Sequence, residues 1–311
     1  MAQFGRNLYT NGNFTATSLV VWASRSTAIV VYPTVATIMT FFGHTHKDLY
    51  REGCQTFGKG RLSILNVMKK IFPLTMVSVV GTYCNYYALS LTSATNVTAV
   101  TAASAAFVYI LSLIWLKEPF LVLRMLAVLT SVAGVILIAY SEGFGSYGSI
   151  GIALATGNAI FSSFFRVFTK KIIGQATIVQ SSFFLSILSL QMCLVYWIPV
   201  VVLILTKIEV VTADNFPLIP FLLTLLVILC YTIILIVGIG ITYPIYMSMG
   251  PLLAIPINAL IDVYYENLFF DDIKIVGTLA VVLGFLVLTI PIPIIASFSS
   301  KIRSKTLFLF K

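Results

Sequence analysis

Residues 107–140 read FVYILSLIWLKEPFLVLRMLAVLTSVAGVILIAY. Two apolar runs flank one short polar junction that holds Lys117 and Glu118. Each run is close to the ~20 mostly apolar residues that a helix needs to cross a bilayer core. The stretch therefore predicts two helices that cross a membrane in opposite directions. A second stretch, residues 258–290, reads NALIDVYYENLFFDDIKIVGTLAVVLGFLVLTI and has the same plan. In both, a helix ends in Glu, a short loop follows, and the next helix carries LAV, then Gly, then Leu. Glu118 corresponds to Glu266 and Gly134 to Gly284, with two more loop residues in the second copy.

The composition extends this reading to the whole chain. Of 311 residues, 59% are hydrophobic and 9% charged, with a mean hydropathy of +1.03. Soluble domains carry roughly 25% charged residues. The chain is expected to be an all-α polytopic membrane protein. Its apolar runs give nine spans, at 17–42, 70–91, 95–116, 122–141, 147–169, 178–206, 218–239, 242–266 and 273–297. The one long polar connection, residues 43–70, is basic and is expected to hold an amphipathic surface helix.

Charge sets the orientation. With the 43–70 loop in the cytoplasm, fifteen Lys and Arg fall on that side. Arg6, Lys207 and Lys274 fall on the other, and Arg25 lies inside a helix. Basic residues favour cytoplasmic loops, so the C-terminus is expected there and the N-terminus outside. The net charge of +9 is then a membrane signature, and nucleic acid is not an expected partner. Glu118 and Glu266 fall on opposite sides under this topology, so the two copies run inverted. Inverted repeats mark secondary transporters whose site lies near the midplane between the halves. The expected organisation is an N-terminal repeat over 1–143, a C-terminal inverted repeat over 144–298 and a basic cytoplasmic tail over 299–311.

The candidate site residues are polar groups at membrane depth. Asn258, Asp262 and Glu266 recur every four residues and share one helix face. A carboxylate at such depth costs ~2.5–3.5 kcal/mol, so Asp262 is a candidate for cation or proton binding, against a structural ion pair or helix-end cap. Pro251 and Pro256 precede it and remove backbone donors. Arg25 either faces an acid or anionic solute group, or snorkels to the interface. Ser78, Thr82 and Asn85 form a second stripe beside Tyr83, Tyr86 and Tyr87, whose rings suit an organic cation or an interfacial belt. Asn158, Ser162 and Arg166 form a third. TAVTAASAA, residues 98–106, reads as close helix packing. The sequons at Asn13 and Asn96 lie on the non-cytoplasmic side, with Asn13 the better acceptor. His44 and His46 have no third ligand nearby, and Cys54, Cys84, Cys193 and Cys230 form no metal or disulfide pattern. No metal or cofactor is expected, and the first 16 residues are too polar for a signal-peptide core.

YCNYYALSLTSATNVTAVTAASAAFVYILSLIWLKEP resembles the third and fourth helices of the drug/metabolite transporter superfamily. GIGITYPIYMSMGPLLAIPINALIDVYY resembles the F branch of solute carrier family 35, and its thiamine-transporter-like members in particular. The resemblance runs from about Thr17 to Pro291. It implies ten helices in two inverted halves and alternating access, and it adds Tyr243 of the ITYP signature to the site list. Two departures stand out. The family's first helix has no counterpart, since residues 1–16 cannot span. Where the thiamine-like members carry an Asn-Lys pair, this chain has Ser104-Ala105.

The leading expectation is a transporter of a small organic solute, thiamine or another organic cation, working in the plasma membrane or Golgi/endomembranes. A coupled proton and a homodimer are left open. A nucleotide-sugar or other Golgi-type transporter is the alternative, since a diphosphate would want Lys or Arg in the cavity. A non-transporting membrane protein is the further alternative. An enzyme is not expected, because adjacent Asp271 and Asp272 read as a solvated loop.

Overall fold

The computed structural model describes residues 17–57, 64–116, 120–141, 147–207, 209, 218–241, 254, 255, 258, 261, 264 and 271–289. Among these residues all regular structure is helical. The elements are α1 (Thr17–Ser26), a 3-10 turn (Thr27–Val30), α2 (Val31–Phe41), α3 (His46–Gln55), α4 (Ile64–Leu91), α5 (Ala94–Ala102), α6 (Ser104–Trp115), α7 (Val122–Ser141), α8 (Tyr147–Ile173), α9 (Ile178–Val195), α10 (Trp197–Leu205), α11 (Leu218–Ile241) and α12 (Asp272–Thr289). Ala254, Ile255, Asn258, Ile261 and Tyr264 are also helical.

Several expected spans are broken where the chemistry demands it. Pro33 has no N–H to give Ile29, and its ring crowds that carbonyl. The helix accordingly changes to 3-10 geometry over Thr27–Val30. Ser186 of α9 inserts into the same gap. Its hydroxyl accepts from Tyr32 N–H at 2.9 Å and donates to the Ala28 carbonyl at 3.3 Å. Those two backbone groups would bond each other in an unbroken helix. Pro199 likewise cannot donate to Val195, and the α9–α10 break falls at Tyr196. Helix starts follow local capping rules. Ser93 accepts from Asn96 N–H at α5, and Thr177 with Gln180 forms a capping box at α9.

Five of these segments, 17–41, 94–115, 147–173, 178–205 and 218–241, are long and apolar enough to cross a membrane. α4 is not among them: Lys69, Lys70, Ser78, Thr82 and Asn85 dilute its apolar content. The 43–70 connection does hold a short helix, α3. It packs on α9 through Leu49 and Gly53, the latter set against the Phe183 ring.

Two groups of helices flank a central cavity. α9 packs on α1, the 3-10 turn, α2, α3 and α11. α8 packs along α4 and touches α5 and α6. α7 and α12 lie antiparallel in close contact, with Gly134 against Gly277 and Gly284 against Ala127 and Ser131. A Cβ on Gly134 would stand 2.5 Å from the Gly277 carbonyl oxygen, so no other residue fits that approach.

Candidate functional site

A cavity of about 290 Å³ lies between α1, α4, α5, α8, α11 and the helical residues around Asn258. Its polar lining comes from Arg25, Ser78, Thr82, Asn85, Thr98, Thr101, Asn158, Ser162, Arg166, Tyr231, Thr232 and Asn258. Two polar stripes of the sequence, and Asn258 of the third, thus converge on one space. Asn158 sits near the middle of the 27-residue α8, which puts the cavity at membrane depth.

Hydrogen bonds tie the stripes together. Asn158 Nδ2 donates to Asn85 Oδ1 at 3.1 Å and to Thr101 Oγ1 at 3.5 Å. Asn258 Nδ2 donates to Thr98 Oγ1 at 2.7 Å. Thr98 and Thr101 each donate their own hydroxyl to a carbonyl one turn back, Ala94 and Val97 respectively. Their lone pairs are thereby left facing the cavity as acceptors, which is what the two amides use. The amide carbonyl of Asn158 remains an acceptor for a solute donor.

Two cations line the same space. Arg25 Nη2 donates to Thr82 Oγ1 at 2.5 Å, and its guanidinium lies 6.0 Å from the Phe165 ring centroid. Arg25 Nε and Ser78 Oγ make no hydrogen bond among the described residues. Arg25 therefore points into the interior. Arg166 donates from Nη1 to Ser104 Oγ at 3.0 Å and is 3% exposed. No carboxylate lines the cavity among the described residues. Asp262, Tyr243, Glu266, Pro251 and Pro256 lie outside the described residues, as does Asn13.

Other sequence candidates fall elsewhere. Tyr83 is not in the lining; it stacks on Tyr87 with centroids 6.2 Å apart and interacts with Glu209. Asn96 is 1% exposed and donates to Thr92 Oγ1, so this sequon offers no acceptor to a glycosyltransferase. Among the described residues no cluster of three or more His, Cys, Asp or Glu is positioned to hold a metal.

Several positions in or near the cavity had not stood out in the sequence. Thr98 and Thr101 hide in a run of small residues that otherwise reads as packing. Arg124 and Lys170, two of the fifteen cations assigned to the cytoplasmic side, are buried rather than set in loops, as is Arg166 of the third stripe. Lys170 Nζ donates to the carbonyls of Ile239 and Gly240 at 3.1 and 3.2 Å, where α11 ends. Glu209 is 3% exposed and accepts from Ser18 N–H, at 3.1 Å to Oε1 and 3.0 Å to Oε2, while the Ser18 hydroxyl donates to Oε2.

The chain is similar to several known proteins. The family model described as EamA-like transporter family matches residues 14–140. Solute carrier family 35 member F3 of Homo sapiens is 31% identical over 79% of this chain and 58% of its own length. Member F4 of Homo sapiens is 28% identical over 90% of this chain and 54% of its own length. The chain thus spans a little over half the length of the curated relatives it matches. A solved structure titled "Crystal structure of protein" superposes with a TM-score of 0.54 at 15% identity, covering 93% of this chain and 94% of that one, which speaks for the fold alone. The chain is an all-α polytopic membrane protein whose similarities support its assignment to the drug/metabolite transporters, within the F branch of solute carrier family 35.

Proposed function

We propose that this protein is a secondary-type transporter that carries a small organic solute by alternating access, with the central cavity as its site. One observation supports this reading above the others: Asn85, Asn158 and Asn258 come from separate helices and meet in one polar space at membrane depth. Polar side chains at that depth are costly and typically face a pathway or a cavity. The lining draws on both proposed repeats, with Arg25, Thr82, Asn85 and Thr98 from 1–143 and Asn158, Arg166, Tyr231 and Asn258 from 144–298. Ligand pockets run from roughly 300 to 1,000 Å³. A cavity at the low end favours a one- or two-ring solute over a nucleotide sugar.

Thiamine is the first solute to test. Asp262 stands four residues after Asn258 in the sequence and would supply the charge that a cation needs. A solute with an anionic group is the second reading, favoured by the Arg25 and Arg166 guanidiniums in the lining. The sequence-based preference for a cation rested on few basic groups among the candidates, and two guanidiniums in the lining narrow the gap between the two readings.

Counterflow into proteoliposomes separates them. A labelled panel of thiamine, a neutral pyrimidine and an organic phosphate is offered to the full chain. Thiamine counterflow that Asp262→Asn abolishes supports the cation reading. Phosphate-selective counterflow supports the other. No counterflow of any member by folded protein counts against transport.

A further inference from the structure

Three candidates stand out beyond the cavity. The exposed apolar faces of α7 and α12 suit lipid and name no partner. The α3 surface carries Lys47 and Arg51 but also Asp48 and Glu52, so it favours no charged partner. The third is the first half-helix, which is held at one end, interrupted at the other and loaded with Arg25 between them.

Glu209 holds the first end. The chain leaves α10 through Lys207, whose φ of 56° is a left-handed conformation that costs a non-glycine residue energy. Glu209 N–H then donates to the Leu203 carbonyl at 3.2 Å. This turn aims the carboxylate at the start of α1, where helical N–H groups have no partner of their own. An anion there also meets the positive end of the helix dipole. The other end is the 3-10 turn, where the Ser186 hydroxyl replaces the backbone bond between Tyr32 and Ala28. Such mid-helix breaks are common hinge sites. Ser18 and Arg25 are seven residues apart, two turns, and so share a face.

We propose that Thr17–Ser26 is a lever, latched by Glu209 at Ser18 and hinged at Thr27–Val30, and that release of the latch opens the cavity to the Glu209 side of the membrane. Glu209 is a positioning residue in this scheme: it sets where Arg25 stands without touching the solute. The scheme rests on the transporter reading.

Labelling tests it without any solute. A reporter, Val97→Cys, is placed at the start of α5 in a chain with Cys54, Cys84, Cys193 and Cys230 replaced by alanine. Val97 lines the cavity and is 2% exposed. A membrane-impermeant thiol reagent is applied from each side in sealed vesicles of known orientation. Glu209→Gln keeps the size and removes the charge, and is expected to raise labelling from the Glu209 side about ten-fold. Ser18→Ala removes only the hydroxyl and is expected to raise it about three-fold. It also serves if Glu209→Gln does not fold. Unchanged labelling in both folded variants overturns the latch, and so does an equal rise from both sides. A chain that fails counterflow yet shows the one-sided rise would overturn the transporter reading and keep the lever.

Discussion

Beyond the lining of the central cavity, two buried groups of opposite charge meet opposite helix termini. At one terminus Glu209 accepts from Ser18 at the start of α1. At the other Lys170 donates to Ile239 and Gly240 at the end of α11. Both obey the same electrostatic rule: anions favour helix starts and cations favour helix ends, each by ~0.3–1 kcal/mol and up to ~2 when partly buried. The mountings differ. Lys170 rides on the 27-residue α8 and meets the 24-residue α11, two unbroken elements. Glu209 sits on a turn and meets a ten-residue half-helix with a break behind it. The Lys170 end joins two rods, whereas the Glu209 end joins a turn to a lever. In this account the first holds the bundle together and the second is the part that moves.

That contrast is most sharply broken by Lys170→Glu. A carboxylate facing the last carbonyls of α11 meets like partial charge and has no donor to replace the ammonium. The variant should lose ~3–5 kcal/mol, the range for leaving a buried charge uncompensated, read as a large fall in thermal unfolding temperature in detergent. Lys170→Arg should restore most of it. Equal stability in Lys170→Glu and Glu209→Gln would erase the distinction between the two ends.

Arg25→Lys comes next. The guanidinium reaches Thr82 from one nitrogen while its face lies over Phe165. A lysine keeps the charge and loses the planar fork. Uptake of the transported solute should fall about ten-fold, a loss of ~1.4 kcal/mol, with little change in unfolding temperature. Wild-type uptake would remove Arg25 from the site and leave the lever without a cargo.

Ser186→Ala carries the smallest effect. It deletes the hydroxyl that bridges Tyr32 and Ala28, so the helix can recover its own bond there. Stability should change by no more than ~1 kcal/mol, as for one neutral hydrogen bond. The Val97→Cys labelling rate of the Glu209→Gln variant should fall back towards that of the unaltered latch, because a straighter helix hinges less. No change in that rate would place the hinge elsewhere.

Much of the scaffold was legible in the sequence, because lipid imposes one rule on every span: about 20 apolar residues with internal hydrogen bonds. The 122–141 boundaries match α7, and the basic 43–70 connection holds α3. Asn85, Asn158 and Asn258 were also legible, since an amide in an apolar helix stands out. The rest was masked by context. Thr98 and Thr101 sit among alanines, where only the geometry of Asn158 and Asn258 gives their hydroxyls meaning. Lys170 was counted as a cytoplasmic cation because it lies within one turn of the α8 end, and linear distance cannot tell a side chain that turns inward. Glu209 lies two residues beyond Lys207, with no periodic pattern to single it out. Its role depends on Ser18, 191 residues away.

Asn158→Leu tests the central claim most directly, because Asn158 links Asn85 and Thr101 at the cavity wall and leucine is close to it in size without a polar atom. The measurement is counterflow of whichever panel solute the wild-type protein carries, alongside thermal unfolding of the same preparations. The account predicts counterflow at least about ten-fold lower than wild type, with unfolding within ~1 kcal/mol of it. Wild-type counterflow by a folded Asn158→Leu protein would contradict it, because the solute would then pass without the cavity.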